Sequence, residues 1–312
     1  MEIIETNYVT AARSGGGRSP WRRFLDWGKV GYLFILPALV IYLVVIFLPI
    51  LRGVNYAFTD WDGLSRTVNY VGLANFRRMF DDVQVRSAIG TTLLIAAALV
   101  LVKVTFGLLL ALAVDGNLKS RNYLRIVFFM PVVLTPIIVS YMWKYIFSNQ
   151  GPLNMLLNLV GLESMRWLGD PTLALISVIV VTSWQSVGLS MVIFLAGLQA
   201  VPPELNEAAA LDGANPLQRL WYVTLPMLAP SVTVCVVIAL IQGLRFFDQI
   251  YALTRGGPGY ATETLSTMIY RISFQFGEFS YGAAVAMTFS LIVALIVLPV
   301  MSVLRKREIV HG

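Results

Sequence analysis

A short polar cluster interrupts one of the long apolar runs of this sequence. Thr182, Trp184, Gln185 and Ser186 lie within five consecutive positions of an otherwise mostly aliphatic stretch. Their hydroxyl, amide and indole groups can form hydrogen bonds, and the indole adds an aromatic face. Small polar groups of this kind can join helices inside a membrane, and they can equally orient a hydroxyl-rich ligand such as a sugar. The pattern leaves helix packing and ligand recognition as open alternatives.

A second polar group lies near the end of a later apolar run. Arg245 and Asp248 are three positions apart, with Phe246 and Phe247 between them. Residues three apart share one face of a helix, so the simplest expectation is a structural ion pair on that face. An arginine beside an aromatic ring could instead hold an acidic or phosphorylated ligand, because its guanidinium group matches such anions.

A long polar segment, residues 201–226, separates two apolar runs and reads VPPELNEAAALDGANPLQRLWYVTLP. Its proline pair predicts the start of one short helix, and Gly213 predicts the end of that helix. Asn215 and Pro216 then predict the cap and first position of a second helix. A polar segment of this length must lie in water, since lipid cannot satisfy its backbone and charges. It is either a capped connection or a docking element with a close-packing alanine face.

The overall composition indicates a helical integral membrane protein. Of the 312 residues, 57% are hydrophobic and 13% are charged, and the mean hydropathy is +0.74. A soluble domain would carry about 25% charged residues. The net charge of +6 is explained by basic cytoplasmic loops, so nucleic acid is not an expected partner.

Several kinds of chemistry are excluded by residue type. The chain has one cysteine, Cys235, and one histidine, His311, which excludes an intrachain disulfide, histidine-based catalysis and a histidine metal cluster. The sequence also has no Gly-x-x-x-x-Gly-Lys-Ser/Thr loop of the kind that holds ATP phosphates. We therefore expect no enzymatic activity and no cofactor bound by this chain.

Six apolar runs are long enough to cross a bilayer, which takes about 20 residues each. They cover approximately residues 30–51, 88–114, 124–147, 173–198, 227–247 and 281–304. The sequence thus predicts an all-α polytopic membrane protein with about six transmembrane helices. The expected organisation is an N-terminal tail and interfacial segment at 1–29, a transmembrane domain at 30–305 and a C-terminal tail at 306–312.

The distribution of basic residues predicts the orientation. Lysine and arginine concentrate in the N-terminal tail, in the loop 115–125 and at the C-terminus, which lie on one side if there are six spans. In the opposite loops the arginines are balanced by acids. The excess of positive charge on cytoplasmic loops then predicts cytoplasmic N- and C-termini and a cytoplasmic segment 201–226.

The polar segment resembles the EAA loop of bacterial ABC importer permeases. The residues that carry this resemblance are Glu207, Ala208, Ala209, Gly213, Leu225 and Pro226. Val223 departs from the pattern, because that family usually has isoleucine there, but the exchange is conservative. The outer loop with Gly256-Gly257-Pro258 is similar to that of the branch that imports sugars and glycerol phosphates. The resemblance extends from about Gly31 to Arg307.

The resemblance implies a type I ABC importer permease fold. It implies that the EAA loop, in which Asp212 also lies, docks onto an ATPase subunit that binds the ATP and magnesium. The implied partners are a second permease subunit, two ABC ATPase subunits, an extracytoplasmic solute-binding protein and the lipid bilayer of the bacterial inner membrane.

The similarity to the maltose permease implies where a carbohydrate would bind. Thr182, Gln185 and Ser186, with Trp184 among them, and the Arg245–Phe246 region fall at or beside the sugar-contacting positions. Arginine replaces amides of the maltose permease, so a glycerol phosphate or acidic sugar is the alternative substrate. A secondary transporter driven by an ion gradient is the more distant alternative.

Overall fold

The structure is a computed structural model that describes residues 27–116 and 120–311. Within these ranges the chain is helical, and an isolated antiparallel bridge joins Thr59 to Tyr70 in the first long loop. Most of the predicted tail 1–29, Lys119 in the basic loop and the end of the tail 306–312 lie outside the described residues. Contacts divide the chain after Gly53 into two units, and the candidate sites described below belong to the unit that begins at Val54.

The first seven helices have the following bounds: α1 Trp27–Tyr42 with a π-helical turn Leu43–Phe47 and Leu48–Tyr56, α2 Ala74–Asp81, α3 Val83–Asp115, α4 Arg121–Val133, α5 Pro136–Ile146, α6 Pro152–Leu159 and α7 Pro171–Ala200. The later bounds are α8 Pro203–Leu211, α9 Pro216–Arg219 with a π-helical turn Leu220–Thr224 and Leu225–Met227, α10 Ala229–Leu244, α11 Asp248–Leu253, α12 Leu265–Tyr270 with a π-helical turn Arg271–Gln275, and α13 Phe279–His311.

The described helices agree with the predicted number of spans. Four are long and apolar enough to cross a membrane: α1 from Phe34 to Tyr56, α3, α7 and α13 up to Lys306. Two further spans are bent pairs, α4 with α5 at 101° and α9 with α10 at 64°. Counting each pair as one span gives six.

Proline explains the sharper of the two bends. Thr135 precedes Pro136 and has an extended backbone, with ψ 142°. A residue before proline is disfavoured in the helical conformation, so α4 ends and α5 restarts with Pro136 at its first turn. Leu134, where α4 ends, is consequently left with a carbonyl that the helix itself does not use.

The centre of the structure is built by α3, α7 and α10, which pack against one another. Small residues allow this close approach. A Cβ added at Gly243 would lie 2.7 Å from the Cα of Ala96, and one added at Gly107 would lie 2.5 Å from the Cβ of Ser190. Helices in a membrane gain most of their association energy from such van der Waals contact.

The two ends of α3 define two separate regions. Its 33 residues correspond to a length of about 50 Å at 1.5 Å per residue. At the Asp82 end, the Tyr281 hydroxyl donates to the Asp82 carboxylate at 2.8 Å. At the Asp115 end, Asp115 shares a cavity with Val201 and Glu207. The polar segment 201–226 therefore lies at the opposite end of the bundle from the loops around Asp82.

Candidate functional site

Residues 201–226 fold into the predicted helical hairpin. Gly213 has a φ of +81°, a conformation that glycine adopts without steric cost. The Gly213 N–H donates to the Ala210 carbonyl at 3.1 Å, and the Ala214 N–H donates to the Ala209 carbonyl at 2.9 Å. These two bonds are the Schellman pattern that ends a helix. Asn215 then begins α9 with a reciprocal capping box.

The hairpin carries large apolar side chains that the described structure does not cover. Leu211, at the end of α8, is 90% exposed, and Leu217, Trp221 and Tyr222 are exposed too. Glu207 and Ala208 are also exposed. Large exposed apolar side chains with charged residues beside them are the composition expected of a contact surface.

Two cavities flank the hairpin. The larger, about 590 Å³, is lined by Asp115, Glu207 and Arg219 among others. Among the described residues, Arg219 forms no ion pair with either carboxylate, and its buried Nε lacks a hydrogen-bond partner. The smaller cavity, about 340 Å³, is lined by Asp212 and Gly213 with neighbouring residues. Charged groups thus face open space between the hairpin and the spans. Leu225 and Pro226 are half-buried in the last helical segment of α9, before α10.

The hydroxyl groups of the polar cluster bond to their own helix. Thr182 Oγ1 donates to the Val178 carbonyl at 2.7 Å, and Ser186 Oγ donates to the Thr182 carbonyl. Thr182 is buried and Ser186 is half-buried. Trp184 is exposed and makes an edge-to-face contact with Trp143, with the ring centroids 5.5 Å apart.

Gln185 differs from these neighbours because it bridges to other helices. Its Nε2 donates to the Leu134 carbonyl at 2.7 Å, which satisfies the carbonyl left open where α4 ends. Its Oε1 accepts a hydrogen bond from the buried Gln249. Both ends of the amide are therefore engaged within this chain. Gln249 could not be predicted as a partner from sequence, because it lies 64 positions away.

The prediction that Arg245 and Asp248 share a helical face is wrong. Helix α10 ends at Leu244, and a new helix, α11, begins at Asp248. Among the described residues the two charges form no ion pair, and both side chains are exposed. The Phe246 carbonyl in this break accepts a hydrogen bond from Thr264 Oγ1 at 3.0 Å. The break thus joins the end of α10 to Thr264, the residue before α12.

One lysine is buried in the middle of α3. Lys103 is 2% exposed, and its Nζ donates to the Gln242 Oε1 of α10 at 2.8 Å. A charge at this depth is expected to face protein or water and not lipid, and the contact confirms that expectation. Gln242 itself is exposed, so the hydrogen-bonded pair of Lys103 and Gln242 extends from the buried core to the surface of α10.

The loops at the Asp82 end are held by a buried ion pair. Arg271 NH2 lies 2.6 Å from Glu263 Oε2, and the Arg271 guanidinium group stacks over the Tyr260 ring at 4.2 Å. Burial raises the pKa of the Glu263 carboxyl above its ordinary value, and the charge of Arg271 offsets part of that rise. This pair fixes the loop 254–264 against α12.

Comparison with known families gives a match over most of the helical region. Residues 103–308 match the family described as binding-protein-dependent transport system inner membrane component. The matched range includes the whole hairpin and the polar cluster on α7, and it leaves out α1 and α2.

Individual relatives resemble nearly the whole chain. The multiple sugar-binding transport system permease protein MsmF of Streptococcus mutans is 34% identical over 280 residues, covering 89% of this chain and 96% of that protein. The trehalose/maltose transport system permease protein MalF of Thermococcus litoralis is 33% identical over 274 residues, covering 85% and 90%. A similar solved structure is a bacterial alginate ABC transporter in complex with an alginate pentasaccharide-bound periplasmic protein, at 25% identity and a TM-score of 0.81, covering 93% of this chain and 98% of that one.

Proposed function

Because this chain belongs to the family of binding-protein-dependent transport system inner membrane components, we propose that it is a permease subunit of a sugar-importing ABC transporter. It carries its substrate across the bacterial cytoplasmic membrane by alternating access. Relatives named for multiple sugars and for trehalose and maltose support a carbohydrate substrate. The family description, together with the balance of basic residues, supports an inner-membrane protein with cytoplasmic termini.

The hairpin is the element through which ATP hydrolysis would act. Its exposed leucine and aromatic side chains offer an apolar contact surface, and Glu207 with Asp212 adds charge at its edge. Closure of a bound ATPase dimer would move this hairpin and thereby bias the bundle toward one state. A conformational change needs such a difference in binding energy between the states. The exposed hairpin is the observation on which this proposal chiefly depends.

The proposed partners follow if substrate transport and ATP hydrolysis are performed by different subunits. Two ABC ATPase subunits would supply the ATP and magnesium sites, because this chain has no phosphate-binding loop. A second permease subunit would complete the translocation path within the lipid bilayer. A periplasmic solute-binding protein would deliver substrate to the loops at the Asp82 end, as the complex of the alginate transporter suggests by analogy.

We place the substrate path beside the polar residues of α7 and the break after α10. Trp184 is exposed, Ser186 is half-buried, and both lie on α7; Arg245 is exposed at the break, beside the half-buried Phe246. Thr182 and Gln185 are more buried, so we assign them to shaping this path through helix packing. This assignment combines helix packing and ligand recognition, the two alternatives that the sequence pattern allows.

An acidic sugar or a glycerol phosphate is the second candidate substrate. It is supported by the exposed guanidinium group of Arg245, and by the acidic polysaccharide that the structurally similar importer carries. Family membership favours ATP-driven import of either substrate over secondary transport driven by an ion gradient.

The docking role of the hairpin can be tested with one exposed leucine. We expect Leu211→Glu to abolish co-purification of the ATPase subunits and ATP-dependent uptake, because it places a charge in the apolar contact. Leu64→Glu is the matched control, since Leu64 is 92% exposed in the loop at the opposite end of α3. It should keep the ATPase subunits bound.

Normal ATPase co-purification and uptake with Leu211→Glu would contradict the proposed coupling surface. Uptake of solute by the purified chain alone, without an ATPase, would contradict the proposed function as a whole.

A further inference from the structure

A half-enclosed cavity of about 230 Å³ lies between α5 and α11. Its lining includes three charged side chains, Lys144, Asp248 and Arg255, and three aromatic ones, Tyr141, Phe247 and Tyr251. Neither Arg245 nor any member of the polar cluster on α7 lines it. The cavity adjoins the break after α10 through Phe247, but it does not include the residues assigned to the substrate path above.

Each helix turns one regular face toward this cavity. On α5, the lining residues Ile137, Tyr141 and Lys144 are spaced by four and three positions. On α11, Asp248, Tyr251 and Ala252 line the cavity at spacings of three and four from Asp248, and Arg255 lies in the turn that follows the helix. Positions with this spacing lie on one side of a helix. The charges thus meet because two adjacent helices face each other, and α5 and α11 are in contact.

The backbone at Arg255 is held in an uncommon conformation. Arg255 has a φ of +52°, in the left-handed region that non-glycine residues seldom adopt. Its N–H donates to the Ile250 carbonyl at 3.0 Å, which ends α11. Such strain persists where the surrounding structure requires it, and it is frequent at ligand sites.

The charges around the cavity do not neutralise one another. Lys144 and Arg255 contribute two positive charges, and Asp248 contributes one negative charge. Among the described residues, none of the three is within 4 Å of an opposite charge in an ion pair. Two cations that face one cavity repel each other, and an anion between them removes that cost. The cavity has a net charge of one positive unit, so it suits a ligand with one negative charge.

The aromatic residues add a second kind of contact. Phe247 and Tyr251 are stacked, with centroids 5.4 Å apart and an interplanar angle of 11°. Aromatic faces suit the apolar C–H surface of a sugar ring, while charged groups fix its orientation. A volume of 230 Å³ is below the roughly 300–1,000 Å³ of pockets for drug-sized ligands, so it has room for one ring.

We propose that this cavity is an anion-binding subsite for one acidic sugar unit, with Lys144 and Arg255 holding its carboxylate or phosphate group. Asp248 accepts hydrogen bonds from the ring hydroxyls, and Tyr141 and Tyr251 contact the ring. This inference rests on the proposed transport function, and it narrows the substrate class to saccharides that include a negatively charged unit.

A phosphate group in this cavity could come from a sugar or from an anionic lipid headgroup. Lys144 lies in the last turn of α5, where a long side chain could also reach the headgroup region. The two sources share the same contact chemistry, so the lipid composition must be varied in the test.

The experiment measures binding of galacturonate and galactose to the fully assembled transporter in phosphatidylcholine nanodiscs by saturation-transfer NMR. Galacturonate has the galactose ring with a carboxylate in place of the C6 hydroxymethyl group. We expect it to bind about tenfold or more tightly than galactose, because charge-assisted hydrogen bonds are the stronger kind. This comparison uses only the wild-type protein, so its outcome does not depend on whether a variant folds. Equal binding of the two sugars would overturn the proposal.

Variants then locate the site. Combining Lys144→Gln with Arg255→Gln should remove the preference for galacturonate, and Asp248→Asn should increase it by removing the competing negative charge. Arg166→Gln is the matched control, because Arg166 is exposed but does not line the cavity. An unchanged preference in the double variant would overturn the assignment to this cavity.

The same NMR binding measurement, made in nanodiscs that contain phosphatidylglycerol, separates the two sources of the anion. We expect galacturonate binding to persist there, and its loss would assign the cavity to lipid phosphate and overturn the sugar subsite. Failure of this inference can be told from failure of the transport function, because co-purification of the ATPase subunits in the Leu211→Glu test does not involve the cavity.

Discussion

The Nε2 of Gln185 donates a hydrogen bond of 2.7 Å to the carbonyl oxygen of Leu134, at the point where α4 gives way to α5. The chain bends by 101° there, so the carbonyl has no helical partner. In a membrane no water replaces the missing bond, and an unsatisfied carbonyl is costly there. A single amide on α7 therefore allows a span to bend sharply within the protein.

We predict that Gln185→Leu lowers the stability of the purified protein by about 1–3 kcal/mol, because it leaves the Leu134 carbonyl and the Gln249 amide without a partner. Thermal unfolding in detergent measures this change. The control is Thr182→Val, since the Thr182 hydroxyl bonds only to its own helix at Val178 and the change keeps the side-chain shape. Equal unfolding temperatures for Gln185→Leu and the wild type would contradict the bridging role.

The fold and the hairpin could be predicted because their signals are local. Six apolar runs gave the spans, and Gly213 with Asn215-Pro216 gave the hairpin geometry. The ABC importer permease fold expected from the EAA spacing is confirmed by the family and the structural similarity. These features depend on short stretches of backbone, so they need no knowledge of distant contacts.

The tertiary contacts could not be predicted in the same way. Gln185 bonds to residues 51 and 64 positions away, and a single sequence does not reveal such pairs. The Arg245 prediction is wrong because it assumed an unbroken helix, although no proline marks the break after Leu244. The cavity charges Lys144 and Arg255 lie 111 positions apart, as their numbers give, and meet only after folding.

A second prediction concerns the turn of the hairpin. Gly213→Val should weaken ATPase co-purification and uptake, because a β-branched residue at a φ of +81° is strained and would shift the turn between α8 and α9. Gly213→Asn is the matched control, since asparagine tolerates this conformation better and a Cβ there meets no atom within 4 Å. If both variants lost ATPase binding equally, the cause would be the new side chain and not the backbone.

A third prediction concerns the loop after α5, which is organised by buried Asn154. Its Nδ2 donates to the Met165 carbonyl at 3.0 Å, and its Oδ1 accepts from the Met165 N–H and from the Trp167 Nε1–H, both at 3.0 Å. Asn154→Leu removes all of these bonds with a similar side-chain size. We expect protease cleavage in the range 148–167 to become at least several-fold faster, since each lost bond costs about 1 kcal/mol.

The control for this loop is Asn158→Leu, because Asn158 is exposed on the same helix and its Oδ1 accepts only from the exposed Ser164 hydroxyl in the described structure. Its cleavage rate should match that of the wild type. Faster cleavage in the control as well would show that any added leucine loosens the loop.

A fourth prediction concerns pH, through the buried carboxyl of Glu263, which is 3% exposed. Burial raises its pKa in the folded protein above the ordinary value of 4.5, so the folded state binds the proton more tightly than the unfolded state does. Stability must then fall as the pH rises from about 4.5 through the raised pKa. Glu263→Gln removes this dependence and keeps an oxygen acceptor for Arg271.

The ionisation of Asp62, in another loop, does not obscure this measurement. Hydrogen bonds from Ser65 lower the pKa of Asp62 from 3.8 to about 2, so its contribution to stability is lost only as the pH falls below 3.8. The two effects therefore occupy separate pH ranges and have opposite signs. Unfolding temperatures of the wild type and Glu263→Gln, compared from about pH 4 to about pH 8, isolate the Glu263 contribution. Parallel curves for the two proteins would show that the pKa of Glu263 is the same in the folded and unfolded states, with Arg271 fully compensating its burial.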